Sequence, residues 1–447
     1  MEFKEFKEKL FNKSREEGLE EFEIYFSDKE SLSINIYKEE VEKYSLNKSF
    51  GVSFRAKINE KMGYSYTEII DEASIDMLIN NAKAAALYIE DDDKQFIYEG
   101  DKEYSKVENY HPQLENIEAD KLIELGIQME KECKKESDKI ANFGGCGIGY
   151  VNVKYGLMNS KGLELTDKSN LLTAYIVPIL DIDDVKYDGF GYAVAKSIED
   201  VNPNKIAKMA IKEAMDKVGA KTIESKKYKT VIKNEAMVSL LQSFWSIFDG
   251  DLAQKGISLL GGKEGEIIAS DKLTIIDNPL MKDGLASVAF DDEGVATFKK
   301  SIIENGKLVT LLHNLKTANK ANRKSTGSGF KNSYASPVSV GPTNFYIEEG
   351  ATTFEQLLEE VKDGLIVTEF SGLHSGANSI TGDFSLAAKG FLIVDGKQGR
   401  PVEQITVAGN FFELLKNIQV VCSDIKFPMT SFGSPSIYVG EMSVAGE

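Results

Sequence analysis

Apolar residues in the first half of the chain switch between two periods. Phe3, Phe6 and Leu10 recur at three- and four-residue steps, which predicts a short amphipathic helix over residues 3–17. Leu32, Ile34 and Ile36 then alternate with Ser31, Ser33 and Asn35, and Val52, Phe54, Ala56 and Ile58 repeat the device. A period of two belongs to strands with one buried face. The helical period returns over 72–90 (Ile75, Leu78, Ile79, Ala82, Ala86, Ile89), a helix that Asp91-Asp92-Asp93 is expected to end. It returns again over 118–135 (Leu122, Leu125, Ile127, Met129), after a polar connection spanning 91–118. Strands are predicted at 145–159 and 163–182, joined by the turn Asn159-Ser160-Lys161-Gly162. A further helix opens at Asn202-Pro203, a cap residue followed by a proline suited to the first turn, and stops at Gly219.

From Tyr228 the texture changes. Met237, Leu240, Leu241, Phe244, Trp245 and Phe248 mark one buried face of a helix over 234–248, with Asn234 as its cap and Gly250 as its stop. Short strands with glycine turns follow, at 273–277, 297–303, 308–312, 392–394 and 436–439, with helices at 352–362 and 409–418. The predicted class is α+β. A domain of helices on antiparallel sheet spans 1–222, and a β-rich barrel- or sandwich-like domain with a few helices spans 223–447.

Composition narrows the function classes. The 447 residues carry 53 basic and 71 acidic side chains, a formal charge of −18, which argues against nonspecific nucleic-acid binding. Cys133, Cys146 and Cys422 form no Cys-x-x-Cys pair, and sparse cysteines fit reduced thiols. The start, Met1-Glu2-Phe3-Lys4-Glu5, lacks an apolar signal core, and the longest apolar run, 171–180, contains Pro178 and is too short for a bilayer. The expectation is a cytoplasmic protein without membrane contact.

Candidate chemistry is thin. His111, His313 and His374 are never three to five residues from one another, so no helix turn offers a pair of zinc ligands. Asp181, Asp183, Asp184 and Asp188 lack the spacing of a calcium loop and read as a solvated turn. Ser371, Ser375 and Ser379 surround His374, with Asp383 behind, but no Gly-x-Ser-x-Gly elbow is present. The favoured reading makes His374, Asn378 and Asp383 polar groups that order a glycine-rich loop. Residues 314–347 contain no Asp or Glu but carry Lys316, Lys320, Arg323, Lys324 and Lys331 around Ser325-Thr326-Gly327-Ser328-Gly329. Without Walker spacing, this run reads as a flexible solvated loop or as a contact for an acidic partner or a peptide carboxylate.

Several ordered blocks resemble the TldD/PmbA family. They are Gly250-Asp251 with Lys255-Gly256 and Gly261-Gly262-Lys263-Glu264-Gly265-Glu266, then Gly341-Pro342-Thr343-Asn344, then the stretch from Gly372 to Ser385. Pro401-Val402-Glu403, the stretch from Ile405 to Asn410, and Gly433-Ser434-Pro435-Ser436 complete the resemblance, which covers the whole chain. The family's TldD branch has a zinc helix, His-Glu-x-x-x-His-x-x-x-Gly-Asp. Anchored on Gly250-Asp251, its three functional positions fall on Leu241, Gln242 and Ser246, none of which can do the chemistry. The TldD branch also uses a cysteine near its C-terminus as a ligand, and Cys422 falls upstream of that position. The chain therefore resembles the TldE (PmbA) branch.

The resemblance implies a subunit with no catalytic residue, metal or cofactor of its own. It would be partnered with a TldD-like zinc protease in a heterodimer that cleaves unfolded peptides. The family is also labelled a modulator of DNA gyrase. The implied cavity-lining residues are His374, Asn378, Asp383, Gln242 and Ser246; Lys316, Lys320, Arg323 and Lys324 are expected as partner or peptide contacts from the basic composition of their run. The alternative is a homodimer that binds peptides or another ligand without cleaving them.

Overall fold

The computed structural model describes residues 1–89 and 93–447. In the N-terminal half, α1 (Phe3–Glu16) precedes three strands, β1 (Phe22–Tyr37), β2 (Glu40–Ile58) and β3 (Lys61–Thr67), and then α2 (Glu72–Leu87). After the connection come α3 (Ala119–Glu136), β4 (Ile140–Asn159), β5 (Glu164–Ile182), β6 (Val185–Asp188), β7 (Gly191–Ala195) and α4 (Pro203–Asp216). The strands form one antiparallel sheet in the order β3-β2-β1-β4-β5-β6, with β7 also pairing with β5. Asp71 caps α2 by accepting the Ser74 N–H, and Asn202 caps α4 as its sequence predicts. The acidic stop expected for α2 at Asp91-Asp92 lies outside the described residues.

The two periods of the sequence meet on one face of this sheet. Phe22, Ile24, Leu32, Ile34 and Ile36 of β1 all point to it. The first two pack with Phe6, Leu10, Ile75 and Leu78 of α1 and α2, the others with Leu122, Met129, Ile206 and Ala210 of α3 and α4. Side chains on the opposite face, Tyr25, Leu157 and Leu163, pack on Ala289 and Phe290 of the C-terminal half. The hairpins at Lys38-Glu39, Asn59-Glu60 and Asp183-Asp184 turn on two successive residues of positive φ, a conformation usually signalled by Asn-Gly or Asp-Gly. Without a glycine cue, the first 12 residues of β2 are not legible as strand.

The C-terminal half begins with β8 (Lys226–Ile232), α5 (Asn234–Phe244), α6 (Gly250–Gln254), β9 (Ile275–Asp277), β10 (Lys300–Glu304), β11 (Lys307–Leu308) and α7 (Leu315–Lys320). It continues with β12 (Gly329–Lys331), β13 (Val338–Val340), β14 (Phe345–Ile347), α8 (Phe354–Val361), β15 (Gly364–Ser371) and α9 (Leu373–Gly376). Last come β16 (Asp383–Val394), β17 (Lys397–Asn410), α10 (Phe411–Lys416), β18 (Val420–Val421), β19 (Phe432–Gly433) and β20 (Ile437–Ala445). Strands β17-β16-β15-β8-β20 lie side by side, and β17 also pairs with β20, which closes the ring into a barrel. A smaller sheet, β11-β10-β9-β14-β19, packs beside it. The class is α+β with a barrel-like C-terminal sheet. Among the described residues, no helix is long and apolar enough to cross a membrane.

Candidate functional site

The helix singled out by its apolar stripe follows β8 directly, and polar groups from the end of the chain clamp its start. Asn234 is not the cap: Lys233 occupies that position without a side-chain cap. Instead the Asn234 amide donates to the Asp424 carbonyl at 3.0 Å, and its N–H donates to Ser436 Oγ at 3.3 Å. Ser436 donates its own N–H and hydroxyl to the Asp424 carboxylate, both at 2.7 Å. The Gly-Ser-Pro-Ser block therefore fixes α5.

Met237, Leu240, Leu241 and Phe244 point into the barrel core. Phe244 stacks on Phe411 with ring centroids 4.5 Å apart. The helix does not run to residue 248. It ends at Phe244, and Trp245–Phe248 form a 3-10 turn. The sequence pattern cannot see this change, because Phe248 stays buried either way, packed against Phe345 at 5.7 Å. Gly250, expected as the stop, is the first residue of α6. Asp249 starts that helix by accepting the N–H groups of Asp251 and Leu252 at 2.7 and 3.4 Å. Position 250 requires glycine for another reason: a Cβ there would lie 2.5 Å from the His313 ring.

A groove of about 460 Å³ opens along the 3-10 turn. Trp245, Ser246 and Asp249 line one side, and Phe330, Pro342 and Phe432 the other. Burial pushes the Asp249 carboxyl up to about 6. Gln242 lies one turn earlier, exposed, and donates to Thr430 Oγ1 at 2.8 Å, two residues from Phe432. Sequence reasoning did not single out Asp249, whose only signal is its place before Gly250.

The His374 loop reaches α5 through α9, whose Leu373 packs on the barrel core. His374, Asn378 and Asp383 are all exposed. Asn378 Oδ1 accepts the Ile380 and Thr381 N–H groups at 2.9 and 3.2 Å. Asp383 accepts from Asn410 Nδ2 at 2.9 Å, and the Asn410 and Thr381 hydrogen bonds hold its carboxyl below the usual range. These two residues order the loop. Ser371 donates to Glu369 and Ser375 to the Gly372 carbonyl. Among the described residues no hydrogen bond links His374 to a serine or to Asp383, so no triad is assembled.

The basic run is divided between two environments. Lys316 and Lys320 pair with Asp93 at 3.5 and 2.9 Å, across to the N-terminal half. Arg323 grips Glu264 and approaches His313 Nε2 at 3.4 Å. Burial, with Arg323 beside it, pushes His313 down to about 4. Lys324 is exposed.

The stretch 325–329 is not the flexible solvated loop expected from its Gly/Ser content. Thr326 and Ser328 are buried, Thr326 Oγ1 accepts the His313 N–H at 2.7 Å, and the Gly329 N–H donates to Asp291 at 2.9 Å. Lys331 lies 4.6 Å from the Tyr64 ring centroid and 5.5 Å from that of Tyr25. Burial, then the Arg55 charge, push its amine down to about 8. Beside it Arg55 binds Glu23 at 2.7 Å and Glu293 at 3.2 Å, all three side chains nearly inaccessible to solvent. Composition gives no hint of this network.

The residues at the zinc-helix positions do not fit zinc. Leu241 is fully buried among apolar side chains, Gln242 offers an amide, and Ser246 a hydroxyl. Cys422 is buried 3.9 Å from the Thr353 carbonyl, and burial pushes its thiol up to about 12, which disfavours the thiolate a metal needs. Among the described residues no three His, Cys, Asp or Glu side chains converge as a metal site.

Comparison with known proteins places these features. Residues 22–86 match the profile of the PmbA/TldA metallopeptidase domain 1, 112–218 the central domain, and 225–446 the C-terminal domain. The first two profiles fall on the single N-terminal sheet. A metalloprotease PmbA homolog of Haemophilus influenzae is 26% identical over 95% of this chain and 92% of its own length. Another, from Buchnera aphidicola, is 30% identical over 72% of this chain and 70% of its own. A crystal structure from Thermotoga maritima, described as a candidate modulator of a DNA gyrase, is 31% identical, covers 99% of this chain and superposes with a TM-score of 0.92. TldE of Thermococcus kodakarensis shares the fold at a TM-score of 0.89 and 22% identity, over 99% of this chain. With three successive profiles matched from residue 22 to residue 446, and a relative 31% identical along nearly its whole length, the chain belongs to the TldD/PmbA family.

Proposed function

We propose that this chain is the TldE-like, non-catalytic subunit of a TldD/TldE-type complex that cleaves unfolded peptides in the cytoplasm. The observation that carries this reading is Leu241. The position where a zinc protease of this family would hold its first histidine is filled by a side chain fully buried in the barrel core. The zinc and the hydrolytic step belong to a TldD-like partner. This chain contributes a wall of the peptide cavity. In its groove, Trp245, Phe330, Pro342 and Phe432 offer apolar surface to peptide side chains, and Ser246 offers a hydrogen bond to the peptide backbone, while Gln242, outside the groove lining, ties α5 to Thr430. The His374 loop packs on α5 through α9 and would extend the cavity wall from there.

The test is purification of the chain alone and together with a TldD-like protein from the same cells. Native mass spectrometry and hydrolysis of an unfolded peptide are the readouts. The expected result is a metal-free, inert chain alone and an active one-to-one pair holding one zinc. Ser246→Tyr in this chain should raise the KM of the pair for peptide more than it lowers kcat. Hydrolysis by the chain alone, stopped by a chelator, would overturn the reading. A metal-free homodimer that binds peptide would replace it with the binding-protein alternative.

A further inference from the structure

A second and larger cleft, of about 790 Å³, opens where the connection 93–111 crosses the C-terminal half. It shares no lining residue with the groove beside Ser246. Most of its polar groups are already engaged. Tyr98 donates its hydroxyl to Asp101 at 2.9 Å, and Tyr104 donates its own to the Gly294 carbonyl at 2.8 Å. The other Asp101 oxygen accepts the Ala296 N–H at 2.8 Å. Arg323 is neutralised by Glu264. What the cleft offers a ligand is therefore ring carbon, the side chain of Phe298, 46% exposed, and two charged groups from segments far apart in the sequence, Glu103 and Lys324. Among the described residues neither makes a hydrogen bond or an ion pair within the chain.

We propose that this cleft binds a short peptide by its free C-terminal carboxylate, with an apolar or aromatic last side chain. The carboxylate pairs with Lys324, the side chain lies against Phe298 and the Tyr98 and Tyr104 rings, and Glu103 accepts from the peptide amine. A phosphate or nucleic acid is a poorer match. Such polyanions call for clustered donors, whereas among the described residues Lys324 is the one cation lining this cleft without an ion pair, and a carboxylate, Glu103, lines the same cleft in a chain of net charge −18. A purely apolar ligand would leave both charges unused. This site does not depend on the proposed role of the Ser246 groove, although hydrolysis of peptides would generate its ligand class.

The experiment is isothermal titration calorimetry of the full chain with Ala-Ala-Phe as free acid and as C-terminal amide. The acid should bind at least tenfold tighter than the amide. Lys324→Gln should remove that difference by weakening the acid alone, and Phe298→Ser should weaken both. Both residues are exposed, so unchanged thermal unfolding of the variants will show that the fold is intact. Ser246→Tyr should leave this binding unaltered while impairing hydrolysis by the complex, which separates failure of one reading from failure of the other. Equal binding of acid and amide, binding insensitive to Lys324→Gln, or no binding of either peptide would overturn the proposal.

Discussion

The two ends of the basic run, alike in composition, are held by opposite physics. At residues 316–324 the cations stand at the surface, with Lys320 paired to Asp93 across the junction of the halves in a setting that water still screens. At residues 325–331 the chain dives into that same junction. There a half-buried Lys331 joins Arg55, Glu23, Glu293, Asp291 and Asp292, and those five are nearly cut off from solvent. A surface pair contributes little because its Coulomb gain is offset by side-chain ordering and salt. A buried group is different, since removing one partner strands the others in a medium that cannot solvate them. Both contacts bridge the halves, yet only one should hold them together.

Arg55→Met is the sharpest way to break this contrast. The substitution keeps much of the side chain's volume but takes from the buried Glu23 and Glu293 the cation that hydrogen-bonds both, leaving only the more distant charge of Lys331. Among the described residues, one Glu23 oxygen and one Arg55 nitrogen already lack hydrogen-bond partners. Unfolding in denaturant should show a loss of about 3–5 kcal/mol, and limited proteolysis should cut the connection between the halves. A loss below about 1 kcal/mol would mean that the network is no stronger than a surface pair.

Leu241→His carries the comparison to α5. It places an imidazole where the core supplies only apolar partners, at a cost of about 2–4 kcal/mol, measured by the same denaturation. It should bind no zinc by elemental analysis, because Gln242 and Ser246 offer no matching ligands. A zinc-loaded variant of unchanged stability would show that position 241 is a site emptied by a single substitution.

Legibility in the sequence divides along the same line between apolar pattern and buried polarity. The helices of the N-terminal half, the long strands β4 and β5 and the apolar stripe of α5 follow from apolar periodicity, since one buried face leaves an unambiguous record. The first half of β2 is not legible, because its residues are mostly exposed and its hairpin turns on Lys38-Glu39 without a glycine. The 3-10 turn after Phe244 is invisible because the apolar spacing survives it. The burial of Thr326 and Ser328 and the anchoring of Gly329 and Lys331 are invisible because the groups that hold this stretch, His313, Asp291 and Asp292, lie elsewhere in the sequence and nothing local marks them. Of the candidate site residues, Ser246 and Gln242 were found through a motif that they fail to match. Asp249, held above its usual range by burial, needed the fold.

Titration tests the buried end by another route. Burial raises the carboxyls of Glu23 and Asp291, and that of Asp292 to about 6, while Tyr25 and Lys331 face Asp292. Between about pH 4 and 6 the folded chain then holds a proton on Asp292 that the unfolded chain releases, so this group lowers stability as pH rises through that window, and the raised carboxyls of Glu23 and Asp291 act in the same direction. Lys331, pushed down to about 8, works the other way. It is deprotonated in the folded chain before the unfolded one, so stability recovers as pH rises from about 8 toward 10.5. Asp292→Asn keeps an acceptor for the Lys331 N–H and should flatten the fall between pH 4 and 6 by on the order of 2 kcal/mol, read from denaturation midpoints across pH. An unchanged slope would place the charge-bearing proton elsewhere in the network.

Lys320→Ala probes the exposed end and should have the smallest effect. Its ammonium contacts Asp93 at 2.9 Å, but the lysine side chain is 47% exposed, and Lys316 stays within 3.5 Å of the same carboxylate. The expected loss is about 0–1 kcal/mol, fading as salt rises toward 1 M, where screening acts within a few ångströms. The loss from Arg55→Met should survive the same salt because its partners are out of reach of ions. If Lys320→Ala cost as much as Arg55→Met, or if salt erased both losses equally, the distinction between the two ends of the run would fail. The junction would then be a single solvated ionic seam rather than a buried lock with a surface fringe.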